Sequence, residues 1–145
     1  MNEKILHATA VSIGGDGLLI TGPSGAGKSD LALRLIDRGA TLISDDYVEM
    51  QKENDHILLI TPATIAGQLE ICHLGIFDYP HISKVPLKLH IRLAPNPERF
   101  PMGSQTETIM NTPISTIALN SHEPSAPIKA ELALQKLYEN QGDTL

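Results

Sequence analysis

Eight consecutive residues, Gly22-Pro23-Ser24-Gly25-Ala26-Gly27-Lys28-Ser29, have the types and spacing G-x-x-x-x-G-K-[ST] of a phosphate-binding loop. Glycines at 22, 25 and 27 allow the backbone to curl so that successive N–H groups point at phosphate oxygens, and a following helix would add its positive end. Lys28 would reach the β- and γ-phosphates of a nucleoside triphosphate, and the Ser29 hydroxyl is suited to Mg²⁺. A second cluster, Asp45-Asp46, follows Lys28 by 17 and 18 residues. Two carboxylates at a strand end can face a γ-phosphate, one orienting groups or metal and the other taking the proton of an attacking hydroxyl. An isolated Asp-Asp pair would read as a solvated turn; its place after the loop and helix favours the chemical reading.

These residues need a strand before the loop and a helix after it. Leu18-Leu19-Ile20-Thr21 supplies the first, and Leu31 to Arg38 the second, with Leu31, Leu35 and Ile36 on one face and Gly39 as terminator. Residues 5–13 and 17–21 read as two strands joined by a hairpin turn through Gly14-Gly15-Asp16-Gly17, so the strand before the loop has an antiparallel neighbour and the sheet is mixed. Thr41-Leu42-Ile43 is a short buried strand. Val48 to Gln51 and His56 to Thr61 flank a polar turn, and residues 62–83 form a loop with short embedded elements. From Lys84 to Leu93 apolar and polar residues alternate, predicting one core face and one wet face, with Pro86 placing the strand's start at an edge. Residues 94–106 form a mobile loop, Ile114 to Leu119 a strand, and Ser125 caps a helix from Ala126 to about Tyr138.

Composition bounds the rest. The 145 residues suffice for one domain, 1–145, and the absence of tryptophan makes the core aliphatic. A net charge of −6 with arginine only at 34, 38, 92 and 99 argues against a nucleic-acid surface. Cys72 is the sole cysteine, and Met1-Asn2-Glu3-Lys4 has no signal-peptide pattern. No apolar run approaches the roughly 18 residues of a membrane helix, so the expectation is a cytoplasmic protein without membrane contact.

Several stretches together resemble the catalytic domain of the bacterial HPr kinase/phosphorylase family: Ile5-Leu6-His7-Ala8, Thr21 through Ser29, Arg38 through Asp46, and Leu69-Glu70-Ile71 followed by Leu74-Gly75-Ile76. The last pair is similar to the family signature Leu-Glu-Ile/Val-Arg-Gly-x-Gly-Ile. The resemblance covers nearly the whole chain and implies a short, catalytic-domain-only form lacking the N-terminal domain of longer members. It implies an α/β fold with a P-loop on a mixed, β-rich sheet with few helices, similar to phosphoenolpyruvate carboxykinase rather than doubly wound and parallel. It implies an ATP-dependent serine kinase acting on the phosphocarrier protein HPr, with a phosphate-dependent reverse reaction that releases pyrophosphate, and assembly as a homo-oligomer, a hexamer.

Residue by residue, the resemblance makes Asp46 the base toward the target serine and the acid in reverse, and places His7 near the transferring phosphate. Alone, His7 would read as a structural strand histidine and Glu70 as an exposed acid. Lys28 would stabilise the γ-phosphoryl charge, and Ser29 with Glu70 would hold Mg²⁺, a hard cation suited to oxygen donors. Arg99 corresponds to a loop arginine able to clamp phosphate or pyrophosphate; it also fits a solvated loop cation. Lys129, near the last helix, fits either an anion contact or plain surface. The signature's Arg-Gly is Cys72-His73 here, exchanging a permanent cation for a neutral thiol and a titratable ring. Two adjacent residues are also poorly spaced for metal chelation. A P-loop kinase of a small metabolite would carry more lid arginines, a GTPase would need Asn-Lys-x-Asp, and a non-catalytic ATP sensor is the remaining alternative.

Overall fold

The fold was analysed as a computed structural model, which describes residues 3–103 and 105–143. Met1, Asn2, Ser104, Thr144 and Leu145, which the readings of the N-terminus, the 94–106 loop and the 1–145 domain touch, lie outside the described residues. The elements in chain order are β1 (Glu3–Leu6), β2 (Thr9–Ile13), β3 (Asp16–Thr21), α1 (Lys28–Asp37), β4 (Thr41–Ser44), β5 (Val48–Glu53), β6 (His56–Ile60), a 3₁₀ turn at Ala63–Ile65, β7 (Gln68–Ile71), β8 (Gly75–Asp78), β9 (Val85–Leu93), β10 (Thr106–Ile109), β11 (Thr112–Leu119) and α2 (Ala126–Asp143). Nine strands form one mixed sheet and β7–β8 a separate hairpin. This is the mixed, strand-rich sheet with few helices that the sequence predicts, not a doubly wound parallel one.

The long strand β9 is the spine. On one side β3 runs parallel to it; on the other, β6 pairs antiparallel with Val85 and Pro86, and β11 pairs parallel with His90 through Leu93. Pro86 has a strand neighbour on one side only, β6, so the start of β9 is at an edge as expected, although the strand becomes central further on. The missing N–H of Pro86 is tolerated because β3 joins only from Leu87 onward, opposite Gly17. The register then skips: Gly17 faces Leu87 and Leu18 faces Leu89, leaving Lys88 bulged out. Gly17 belongs to β3 rather than to the turn, and an added β-carbon there would lie 2.8 Å from the Pro86 carbonyl oxygen.

The bulge reverses the strand's facing. Val85 and Leu87 enter a core with Leu19, Ile43, Met50 and Leu59, whereas Leu89, Ile91 and Leu93 enter the core beneath the helices with Leu18, Ile20, Leu31, Leu35, Leu42, Ala130 and Leu134. Alternation in the sequence survives, but it serves two cores, and the expected single wet face does not exist: His90 is buried.

The expected strand 5–13 is two strands. The chain bends at His7, where it leaves β5, the partner of β1, and begins pairing with β3 and β4 as β2. Helix α1 starts three residues before the expected Leu31 and ends as expected, with the Gly39 N–H on the Ile36 carbonyl. Leu35 is fully buried against the sheet. We expect Leu35→Ala to lower the unfolding free energy by about 2–5 kcal/mol, read from the shift of a urea or thermal midpoint.

Candidate active site

The loop between β3 and α1 is shaped by its glycines. Gly25 and Gly27 have φ of 82° and 95°, a left-handed conformation that side chains disfavour. A β-carbon on Gly27 would collide with Ser121 Oγ, whose hydroxyl donates to the Ala26 carbonyl from the opposite side. Helix α1 has no side-chain cap, so its first N–H groups are left facing the loop. The Lys28 ammonium is buried in the ring it closes, donating to the carbonyls of Gly22 (2.9 Å) and Pro23 (3.2 Å).

The two aspartates diverge. Asp45, at the end of β4, is buried, and its carboxylate accepts from Thr9 Oγ1 (2.9 Å), Ser29 Oγ (2.7 Å) and the Glu70 N–H (3.1 Å). Asp46 has φ of 73°, which turns its exposed carboxylate the other way, toward His7 Nε2 at 2.9 Å. A carboxylate accepts only, so the His7 ring donates. That ring also lies against Tyr47, centroids 5.3 Å apart. His7 owes its place to the bend between β1 and β2, and the Ala8 N–H bonds the Asp46 carbonyl (3.2 Å).

These groups line a cleft of about 570 Å³ together with Ser24, Asp30, Glu70, Cys72, His73 and His122. His7, Lys28, Asp46, Ser24, Gly25, Gly27, Ser29 and Glu70 are thus brought to one place. Beside the Ser29 hydroxyl lies the Asp45 carboxylate, and Glu70 lines the same cleft; these are oxygen groups of the kind that suits Mg²⁺, although no cluster of three or more carboxylate, His or Cys ligands forms among the described residues. Arg99 is not in the cleft. It is exposed in the segment 94–103 that follows β9, with its guanidinium 5.8 Å from the Phe100 ring centre. Lys129 is bound to Glu123 (3.1 Å) rather than facing the cleft. His73 has φ of 75°, so the position where the signature carries glycine keeps a glycine-like backbone. Cys72 is exposed on the cleft wall.

Sequence reasoning missed Thr9 and His122. Thr9 has no motif of its own and is found only through its pairing across β2. His122 sits on the turn before α2, held by Arg34 of α1, whose guanidinium donates to the carbonyls of Ser121 and Glu123.

Asp45 and Asp46 should separate experimentally. Asp45→Ala strands one N–H and two hydroxyls, and we expect it to cost about 1–3 kcal/mol in denaturant unfolding. Asp46→Asn removes the charge of an exposed pair but keeps a residue type that tolerates the left-handed backbone (φ 73°), and should leave stability within about 0.5 kcal/mol.

The family model described as HPr Serine kinase C-terminal domain matches residues 1–127. An HPr kinase/phosphorylase of Burkholderia lata is 36% identical over 126 residues, covering 79% of this chain and 39% of the relative, and one of Clostridium tetani is 40% identical over 90 residues, covering 62% and 30%. The chain thus spans well under half the length of these curated relatives. A solved structure titled Hpr(Ser) kinase/phosphatase from Coxiella burnetii superposes with a TM-score of 0.81 at 28% identity, covering 97% of this chain and 95% of that one. The match to the family model over residues 1–127 shows the lineage: the chain belongs to the HPr serine kinase C-terminal domain family.

Proposed function

We propose that residues 1–145 are a catalytic domain that transfers the γ-phosphoryl group of ATP to a serine hydroxyl of HPr and runs the phosphate-dependent reverse reaction. The observation that carries the reading is the His7–Asp46 pair placed in the same cleft as Lys28 and Ser29. The phosphates would lie along the N–H groups of residues 24–29, and the Lys28 ammonium would exchange the Gly22 and Pro23 carbonyls for phosphate oxygens. Ser29 and Glu70, with Asp45 behind Ser29, would hold Mg²⁺, which when bound neutralises charge on the phosphates.

In the forward direction Asp46 takes the serine proton as the serine oxygen bonds to the γ-phosphorus and the bond to the β-phosphate oxygen breaks, releasing ADP. In reverse, an oxygen of inorganic phosphate bonds to the phosphoserine phosphorus as the bond to the serine oxygen breaks, the leaving serine oxygen takes its proton from protonated Asp46, pyrophosphate is the product, and the proton lost by the attacking phosphate makes up the balance. The His7 N–H on one oxygen of the Asp46 carboxylate would hold the group while the other oxygen takes the proton. Arg99, which is not among the residues that line the cleft, takes its phosphate-clamping part only if the segment 94–103 moves or a second copy supplies it, which fits the homo-oligomer, a hexamer, that belongs to this reading. A cytoplasmic setting belongs to it as well; among the described residues no helix is long and apolar enough to cross a membrane.

Purified protein incubated with HPr and MgATP should yield phosphoserine by mass spectrometry, and Asp46→Asn should slow transfer about 10²- to 10⁴-fold while retaining ATP binding. Phosphate added to phosphoserine-HPr should release pyrophosphate. ATP binding without transfer to HPr would overturn the assignment and leave a nucleotide sensor or a different acceptor.

A further inference from the structure

Of the six histidines, His90 alone is buried, and the chemistry above does not use it. It stands on β9 just past the bulge, on the face away from the helices. Its Nε2 lies 2.7 Å from Thr21 Oγ1, and its Nδ1 lies 2.9 Å from Glu107 Oε2 and 3.3 Å from Thr116 Oγ1. The protons can be assigned. The Glu107 carboxylate can only accept, so Nδ1 carries the hydrogen. Thr116 gives its own hydroxyl proton to the Ile114 carbonyl (3.0 Å), leaving its oxygen free to share the Nδ1–H. Nε2 is then a lone pair that accepts from the Thr21 hydroxyl, and a neutral ring satisfies every contact.

Thr21 is the last residue of β3, immediately before Gly22, whose carbonyl holds Lys28. Glu107 is on β10, which hairpins onto β11 and reaches the rest of the sheet through it. We propose that His90 is a positioning residue, a hydrogen-bonded tie between the β10–β11 ribbon and the root of the glycine-rich loop that sets where the loop begins. Its catalytic consequence rests on the phosphate-binding reading above; the tie itself is a property of the free protein.

Burial pushes the His90 ring below its ordinary range, with Arg92 acting in the same direction and Glu107 opposing both. Those are the charged groups it meets; β3 and β11 present the Thr21 and Thr116 hydroxyls. Because the folded value is depressed, the neutral tie and its contribution to stability are present above the unfolded histidine value of about 6.5 and are lost as pH falls through the folded one. Protonated Nε2 would donate to the Thr21 oxygen, and the Thr21 hydroxyl proton would have to turn away to another acceptor.

Nitrogen-15 spectra of the full-length protein test this. His90 should be the Nδ1–H tautomer, and the Gly22 and Gly25 amides should contain a pH-dependent component, absent in His90→Val, beyond that from the cleft histidines. In kinetics His90→Val should raise the KM for ATP about two- to tenfold with kcat little changed, and His90→Gln, which can still bridge, should recover most of it. Thr21→Val should reproduce the His90→Val shifts without adding to them, and stands in if His90→Val does not fold. An Nε2–H tautomer, loop amides unaffected by either variant, or a fall in kcat at constant KM would overturn the tie. Wild-type protein that binds no ATP while its loop amides still follow His90 would overturn the nucleotide reading and leave the tie standing.

Discussion

The Asp45 carboxylate is the interaction on which the arrangement of the cleft depends. Its three donors come from β2, from the first turn of α1 and from the backbone of β7, so one buried anion at the end of β4 ties four segments. None of the three donors is charged. A buried carboxylate is expensive unless hydrogen-bonded, and three donors provide the compensation that lets it remain at the root of an open cleft. The bond to Ser29 fixes the helix start relative to the strand end, and the bond to the Glu70 N–H draws the β7–β8 hairpin over the same space. Because Asp45 is held inward, its neighbour is turned outward by the left-handed backbone at Asp46. Adjacent, identical residue types thus acquire opposite environments from a single backbone rotation.

A second constraint is the parallel pairing of β3 with β9. It delivers the loop at the carboxyl end of a strand with a neighbour on each side, while the bulge at Lys88 lets one strand serve two cores. The close approach of Gly17 to the Pro86 carbonyl is the local condition for that register. The bulge also explains how a histidine in a regularly alternating strand comes to be enclosed.

Much of this was legible in the residues because the signals were local. The glycine spacing, the flanking strand and helix, the Gly14-Gly15 hairpin and the Asp45-Asp46 pair each declare themselves within a few positions, and the mixed sheet follows from the hairpin before the loop. What was not legible depends on pairing between distant segments. The bend at His7 arises from a change of partner between β5 and β3, Thr9 matters only because β2 lies beside the end of β4, and His122 arrives through an arginine on α1. Alternation from Val85 to Leu93 reads the same with or without a bulge, so no sequence period could distinguish one apolar face from two. Arg99 illustrates the opposite limit: a position assigned by resemblance lies against Phe100, and not in the cleft, among the described residues.

The Lys28 ammonium, held by two carbonyls of its own loop, bears on how the cleft meets a ligand. A buried cation needs hydrogen-bond acceptors, and here the backbone of its own loop supplies two. Recruiting the lysine to an anion then trades two hydrogen bonds for others of greater strength and requires little ordering of chain. Selectivity follows from the same trade. On the phosphate-binding reading proposed above, a neutral solute would offer less than the carbonyls already give, so an anion of high charge density would be needed to draw the side chain away, and the loop would select by charge density before shape.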